Sequence, residues 1–121
     1  YNNFMRIKIV ENKINITELK DIAQEFYKFM IKGVVDIKQK LIALGGEYHM
    51  DANLVLIDKG SKQENIWGFN LQLQKKKNEE GWIEYTSLIN IKPDQKNLSI
   101  KINNLKIRKK IKIILEKLIE E

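Results

Sequence analysis

The chain has 121 residues, of which 43% are hydrophobic and 31% charged, and its formal net charge is +6. Enough apolar side chains are present to form a core, which excludes a wholly disordered chain and is typical of a soluble globular domain. There are no cysteines, which excludes disulfides, thiolate metal ligands and thiol catalysis. No secretory or membrane-spanning run occurs, so a cytoplasmic protein without membrane contact is expected.

One α+β domain is predicted over residues 5–121. Residues 1–4 precede Met5 and are interpreted as an upstream extension or a remnant of cloning. Residues 5–10 alternate between apolar and polar types and predict a short strand. After a turn, Asn15 or Thr17 can cap a helix.

A long N-terminal helix is predicted over residues 16–44. Its apolar side chains recur every three or four residues: Ile22, Phe26, Met30, Val34, Ile37, Leu41 and Leu44. Gly45 and Gly46 end it in the usual way. Gly33 and the neighbouring β-branched residues could kink or break it, and the alternative is two elements with a strand between them.

Three extended segments are predicted next, at 47–57, 66–74 and 82–91. In the middle one Trp67, Phe69, Leu71 and Leu73 share one face, which can anchor a core. Pro93 ends the third, and residues 94–104 are irregular, with a brief strand near 99–102. A terminal helix from Leu105 buries a stripe made of Ile107, Ile111, Ile114, Leu115 and Leu118. The predicted order is β-α-β-β-β-α, an antiparallel sheet with both helices packed on one face.

The sheet face directed away from the helices is predicted to be polar. Two neighbouring strands contribute Asn70, Gln72, Glu84, Thr86 and Asn90 to it. Because Asn and Glu are poor strand formers, this face is interpreted either as a ligand-binding surface or as the ordinary solvated side of an antiparallel sheet. Trp82 and Leu88 share the face and predict cover by a loop or by a second copy of the chain, so a homodimer is expected.

His49 is the sole histidine, and Glu47 and Asp51 flank it at a spacing of two residues. On a strand these side chains would share one face, where they could bind a divalent metal or seat a general base. The alternative is a surface histidine near the C-terminus of a helix. No nucleophile elbow and no glycine-rich phosphate loop is present. We therefore predict no metal and no cofactor, and keep a small enzyme or metal site around His49 and Asp51 as the second alternative.

The positive charge is concentrated in residues 92–112, which contain eight Lys or Arg against Asp94 alone, a charge of +7. Five of the eight open the predicted terminal helix: Lys106, Arg108, Lys109, Lys110 and Lys112. Cations at a helix N-terminus oppose the helix dipole, and a bound anion would relieve this. The segment is interpreted either as an anion- or nucleic-acid-binding surface or as a compositional bias towards Lys on solvated faces.

The basic helix also makes the chain look loosely like a double-stranded-RNA-binding domain. Two departures count against this reading: Ile111 stands where a small residue is expected, and no Gly-Pro-x-His loop joins the strands. Nucleic acid is therefore the less favoured partner.

Several segments together resemble a family of small uncharacterised bacterial and archaeal proteins, a domain of unknown function. The most specific is Gly-Ser-x-Gln-Glu-Asn-x-Trp-Gly at residues 60–68, and the others are 45–49 with Asp51, 82–93, Asn97 with Ser99, and 107–110. The resemblance runs from Met5 onward and implies no reaction. Leu98 departs from it, since members often carry arginine there, which weakens an anion site involving that loop.

These patterns favour a non-enzymatic binding or interaction module, with the basic segment 92–112 as the first alternative. A small polar or anionic ligand would be oriented by polar side chains from several elements: His49, Asp51, Asn70, Asn90, Lys92 and Asn97.

Overall fold

The computed structural model describes residues 5–121, so the expectation about residues 1–4 lies outside the described residues. The strands are β1 (Ile7–Val10), β2 (Ile14–Asn15), β3 (Met30–Asp36), β4 (Leu41–Gly45), β5 (Ile66–Gln72), β6 (Ile83–Glu84) and β7 (Ile119–Glu120). The helices are α1 (Ile16–Ala23), α2 (His49–Asp58) and α3 (Leu105–Leu118), and 3₁₀ turns lie at Gln63–Asn65, Leu88–Asn90 and Pro93–Gln95.

The main sheet has five antiparallel strands in the order β1-β4-β3-β5-β6, and β2 pairs with β7 in a separate parallel ribbon. The prediction of an α+β fold with an antiparallel sheet is therefore confirmed. The predicted order β-α-β-β-β-α is wrong. None of the helices in the described part of the chain is long and apolar enough to cross a membrane.

The predicted long helix over 16–44 is wrong. Only α1 at its start is helical, capped by the Asn15 side chain, whose Oδ1 accepts a hydrogen bond from the Thr17 amide at 2.7 Å. The rest is the β3–β4 hairpin. Its residues are buried on both faces, so the strands carry a nearly continuous apolar run that imitates helical spacing. Gly33 lies opposite Phe69 in the sheet, where an added Cβ would meet the Phe69 ring at 2.5 Å.

The predicted extended segment at 47–57 is also wrong, because α2 occupies it. Gly45 and Gly46 have φ angles of +114° and +93°, which turn the chain sharply from β4 into the helix. The Asp51 Oδ2 accepts hydrogen bonds from the backbone amides of Glu47 and Tyr48 at 3.0 and 2.9 Å, which caps the first turn. Sequence periodicity missed α2 because it is apolar on both sides.

The predicted alternation of β5 is confirmed, since Trp67, Phe69, Leu71 and Leu73 all lie in the main core. The predicted long strand over 82–91 is wrong: β6 has two residues, and the chain then enters the Leu88–Asn90 turn. Trp82 is 1% exposed and belongs to the same core, so it does not lie on an exposed face.

Helices cover both faces of the sheet, which corrects the prediction that they share one. Helices α1 and α3 pack on the face of Trp67 and Phe69. Helix α2 packs on the opposite face, where Ala52 and Leu56 contact a smaller cluster that includes Val34, Ala43 and Ile66. Helix α3 buries Ile111, Ile114, Leu115 and Leu118 as predicted, whereas the brief strand expected near 99–102 is reduced to a single bridge between Thr86 and Lys101.

We expect Gly68→Ala to lower the free energy of unfolding by about 2 kcal/mol, because the new Cβ would lie 2.5 Å from the Ser87 Cβ. The φ angle of Gly68 is not positive, so the expected loss of stability comes from steric overlap and not from backbone strain. The matched control is Ser87→Gly, which removes the opposing Cβ. In denaturant titrations, adding Gly68→Ala to the Ser87→Gly variant should lower the free energy of unfolding by at most half as much as adding it to the wild-type chain. Equal losses in both backgrounds would contradict the steric account.

Candidate functional site

Polar side chains form a row across three strands on the α2 face of the sheet. Lys32 of β3 pairs with Asn70 of β5, which pairs in turn with Glu84 of β6. The Glu84 Oε1 accepts hydrogen bonds from the side-chain amides of Asn70 at 3.3 Å and Gln72 at 2.9 Å. The predicted grouping of Asn70 and Gln72 with Glu84 is confirmed. Helix α2 leaves this end of the face partly exposed, because its apolar residues lie over the cluster at Val34.

His49 is the first residue of α2, and the helix places its ring against β5 rather than in solvent. The side chain is buried, and its Nε2 lies 2.9 Å from the carbonyl oxygen of Phe69. A carbonyl oxygen only accepts, so Nε2 carries the single proton of the neutral ring. The predicted alternative of a surface histidine is wrong.

Burial lowers the pKa of His49 from its ordinary value to about 4, and the positive charge of Lys32 acts in the same direction. The hydrogen bond with the Phe69 carbonyl and the neighbouring Asn70 side chain oppose this shift in the pKa. The Asn70 Oδ1 is itself buried and has no hydrogen-bond partner within residues 5–121. A ring that remains neutral down to about pH 4 works here as a packed hydrogen-bond donor.

The expected row of Glu47, His49 and Asp51 does not exist as a unit, because these residues begin a helix and point in different directions. His49 turns inward to β5, whereas the carboxylate of Asp51 turns back to the backbone amides that precede the helix. Within residues 5–121 no group of three His, Asp or Glu residues is arranged to hold a metal ion. The Glu47–Asp51 segment thus supplies a helix cap.

Asn90 takes the place of a missing strand beside β5. Its Oδ1 accepts a hydrogen bond from the Gly68 amide at 2.7 Å, and its Nδ2 donates to the Gly68 carbonyl at 3.0 Å and the Ile100 carbonyl at 3.2 Å. The side-chain amide therefore pairs with β5 as a backbone peptide would. Asn90 is 0% exposed, so all of its polar atoms are enclosed by the chain.

Asn97 holds the loop that follows. Its Nδ2 donates to three backbone carbonyls, those of Asn90, Ser99 and Lys101, at 2.8 to 3.0 Å. Its Oδ1 accepts from the Asn103 amide at 3.0 Å. Asn90 and Asn97 were predicted to lie in one site, and they do lie together, but their hydrogen-bonding groups are used within the chain.

Lys92 is also buried. Its Nζ donates to the Gln63 carbonyl at 2.9 Å and lies 5.1 Å from the centre of the Trp67 ring. Burial lowers the pKa of Lys92, and the carboxylate of Asp94 acts in the opposite direction. Lys92 also lines an open cleft of about 470 Å³ between the Gln63–Asn65 and Pro93–Gln95 turns.

The basic segment does not present one continuous cationic surface. Lys92 is buried, the Arg108 guanidinium lies 5.0 Å from the centre of the Tyr85 ring, and Lys112 lies 3.8 Å from Glu116. The N-terminus of α3 is already capped, because the Asn104 Oδ1 accepts from the amides of Lys106 and Ile107. Four lysines of the predicted anion site are exposed, namely Lys106, Lys109, Lys110 and Lys112. Of these, only Lys112 lies within ion-pair distance of a carboxylate in residues 5–121.

Two side chains of the segment at residues 60–68 form hydrogen bonds that hold the fold together. Ser61 donates from Oγ to the buried carboxylate of Asp36 at 2.6 Å, and this carboxylate also accepts from the backbone amides of the β3–β4 turn. The side chains of Gln63 and Asn53 exchange two hydrogen bonds at 2.7 Å. The roles of Asp36 and Asn53 do not follow from the sequence, because their spacing along the chain from Ser61 and Gln63 carries no recognisable signal.

Asn90→Ala should lower the free energy of unfolding by about 3 kcal/mol, because it leaves buried amide and carbonyl groups of Gly68 and Ile100 unpaired. Asn70→Ala is the matched control. It removes one hydrogen bond of 3.3 Å together with an unpartnered oxygen, so it should change stability by less than about 1 kcal/mol. Urea titrations of both variants measure the difference; similar losses would refute these structural roles.

The free energy of unfolding should fall as the pH is lowered from about 6.5 towards 4. In this range the unfolded chain binds a proton at His49 and the folded chain does not, because the folded pKa is about 4. We expect a loss of about 2 kcal/mol from this group between roughly pH 7 and pH 4.5. Gln can donate to the Phe69 carbonyl without titrating, so His49→Gln should lack this part of the pH dependence. An unchanged profile would contradict the assignment.

Comparisons with known proteins identify a family but no activity. No curated protein and no solved structure matches the chain. A family described as "Protein of unknown function (DUF5674)" matches residues 8–118. This match spans nearly the whole described chain, including all three helices and the main sheet apart from Ile7. The chain therefore belongs to the DUF5674 family.

Proposed function

We propose that the chain is a non-enzymatic interaction module, and that its docking surface is the outer side of α2 together with residues 88–91. The occupant we propose is a second copy of the chain. The observation that carries this proposal is the apolar outer side of α2, formed by Met50, Leu54 and Ile57 and called here the α2 stripe; these residues are 47%, 38% and 36% exposed.

The helix is too apolar for a surface element that is buried on one side only. Residues at a spacing of three or four fall on the same side of a helix, so the α2 stripe is continuous, and Ala52 and Leu56 occupy the side that packs on the sheet. A helix that is apolar on both sides is typical of one packed on both sides. Within residues 5–121 the three residues of the α2 stripe are only partly covered and stay 36–47% exposed.

The apolar surface continues beyond the helix. Met50 and Ile91 line the same 470 Å³ cleft, and Leu88, in the adjoining turn, is 77% exposed. This turn contacts α2. Such a patch of clustered apolar side chains supports an interface, whereas single exposed apolar residues do not. Leu88 was part of the interface expected from sequence; Trp82 is buried and is not part of the proposed one.

Charge placement favours a second copy as the occupant. The α2 stripe contains no charged residue, so two stripes can meet without like-charge repulsion. The excess positive charge lies in residues 92–112, and most of these residues belong to α3 or the loop before it. Because α3 packs on the opposite face of the sheet from α2, pairing through α2 keeps the two basic helices apart.

The reactive side-chain groups at the polar site already form hydrogen bonds within the chain, which supports a binding role over an enzymatic one. The ring of His49 donates to a carbonyl, Asp51 caps a helix, and Asn90 completes the hydrogen bonds of β5. A general base needs a lone pair directed into a cleft, and the 470 Å³ cleft is lined by neither His49 nor Asp51.

Leu54→Glu should convert a concentration-dependent dimer into a monomer, because it places a charge in the centre of the proposed interface. The measurement is the solution mass by light scattering across a concentration series at moderate salt. The matched control is Leu105→Glu, which changes an apolar residue that is 75% exposed at the start of α3.

A wild-type chain that stays monomeric at all concentrations would overturn the proposed dimer. So would a dimer that Leu105→Glu disrupts as strongly as Leu54→Glu.

A further inference from the structure

We propose that a groove beside α3 binds an acidic amphipathic helix of a partner protein. This α3 groove lies between the C-terminal half of α3 and two loops, residues 11–13 and 37–40, and has a volume of about 770 Å³. It is larger than the cleft beside Lys92 and lies on the other side of the molecule from the α2 stripe, since it is lined by α3. None of the site residues predicted from sequence lines it except Lys110.

Part of the lining of the α3 groove is apolar. Ile113 and Ile114 of α3 and Ile37 of the opposite loop line it, and Ile113 is 56% exposed. An isoleucine exposed to this extent in the middle of a helix gains stability when a partner covers it. The groove is concave, so the complementary shape is a ridge of side chains, such as the apolar stripe of a single helix.

Lysines line the groove on the α3 side and on the side of the opposite loop. Lys110 and Lys117 belong to α3, and Lys40 belongs to the opposite loop. Seven residues of helix separate Lys110 from Lys117, a rise of about 10 Å, or two turns. Within residues 5–121 no carboxylate lies within ion-pair distance of these three lysines.

The other charges at the groove are already neutralised. Lys13 lies 2.9 Å from Glu120, and Glu11, the one acidic residue in the lining, lies 3.2 Å from Lys59. The charge available to a ligand is therefore positive. A ligand that fits carries acidic groups on either side of an apolar ridge.

This arrangement selects among anionic ligands. A fatty acid has one charged end and would leave lysines on the other wall unpaired. A flat membrane surface does not enter a concave site, and a nucleic acid has no apolar ridge to cover Ile113. An acidic amphipathic helix can cover the apolar lining residues and pair with the lysines on both sides of the groove.

The test uses a fluorescent peptide of about 16 residues, with leucines spaced three and four apart and glutamates on both flanks of that stripe. The control peptide has the same composition in scrambled order. Anisotropy titrations with the full chain should show binding that is at least tenfold tighter for the designed peptide than for the scrambled one, and binding should weaken as salt is added.

The variant Lys110→Glu/Lys117→Glu should weaken binding of the designed peptide at least tenfold. The matched control, Lys106→Glu/Lys109→Glu, makes the same change in net charge at exposed positions of α3 that do not line the groove, and should alter affinity less than twofold. Ile113→Ser should weaken binding with no change in net charge. Circular dichroism establishes that each variant is folded.

Three results would overturn the proposal: no binding of the designed peptide, equal loss of binding in both double variants, or no preference over the scrambled peptide. Sedimentation with phosphatidylglycerol vesicles tests whether the groove lysines bind an anionic membrane surface and not a peptide. Vesicle binding that is lost in Lys110→Glu/Lys117→Glu, together with weak peptide binding, would assign the lysines to a membrane surface instead.

Discussion

Strand β5 needs hydrogen-bond partners along both of its edges, and the rest of the structure depends on how that need is met. One edge pairs with β3 along its full length, from Ile66 to Gln72. The other edge has only two strand partners in β6, and the Asn90 side chain supplies the pairing at Gly68. Because the approach of Asn90 brings Ser87 against Gly68, no side chain fits there. The loop after β6 is thereby held to the sheet, and Asn97 organises the remainder of it.

The buried polar groups of this protein form their hydrogen bonds mainly within the chain. A buried amide or carboxylate costs free energy unless each of its hydrogen-bonding groups is paired. Asn90, Asn97 and Asp36 meet this condition entirely with backbone and side-chain groups of the same chain. The one buried side-chain oxygen of the polar row that lacks a partner belongs to Asn70. The hydrogen-bonding groups of Asn90, Asn97 and Asp36 are thus occupied within the fold.

The two surfaces that carry our proposals lie on opposite sides of the sheet. The α2 stripe is apolar and uncharged, which suits contact with an identical surface. The α3 groove combines apolar lining residues with lysines that form no ion pair within residues 5–121, which suits a partner of opposite charge. Because α2 and α3 pack on different faces, a homodimer formed through α2 would leave the α3 groove open on each copy.

The sequence alone determined the elements whose periodicity arises from burial on one side. These include β5, with its alternating aromatic and aliphatic residues, and the stripe of α3. Tertiary structure decided the β3–β4 hairpin and α2, which are apolar on two sides, so their patterns do not distinguish a helix from a strand. It also decided the roles of His49 and Asn90, because their hydrogen-bond partners lie 20 and 22 residues away along the chain. Such contacts depend on sheet register, which local sequence does not encode.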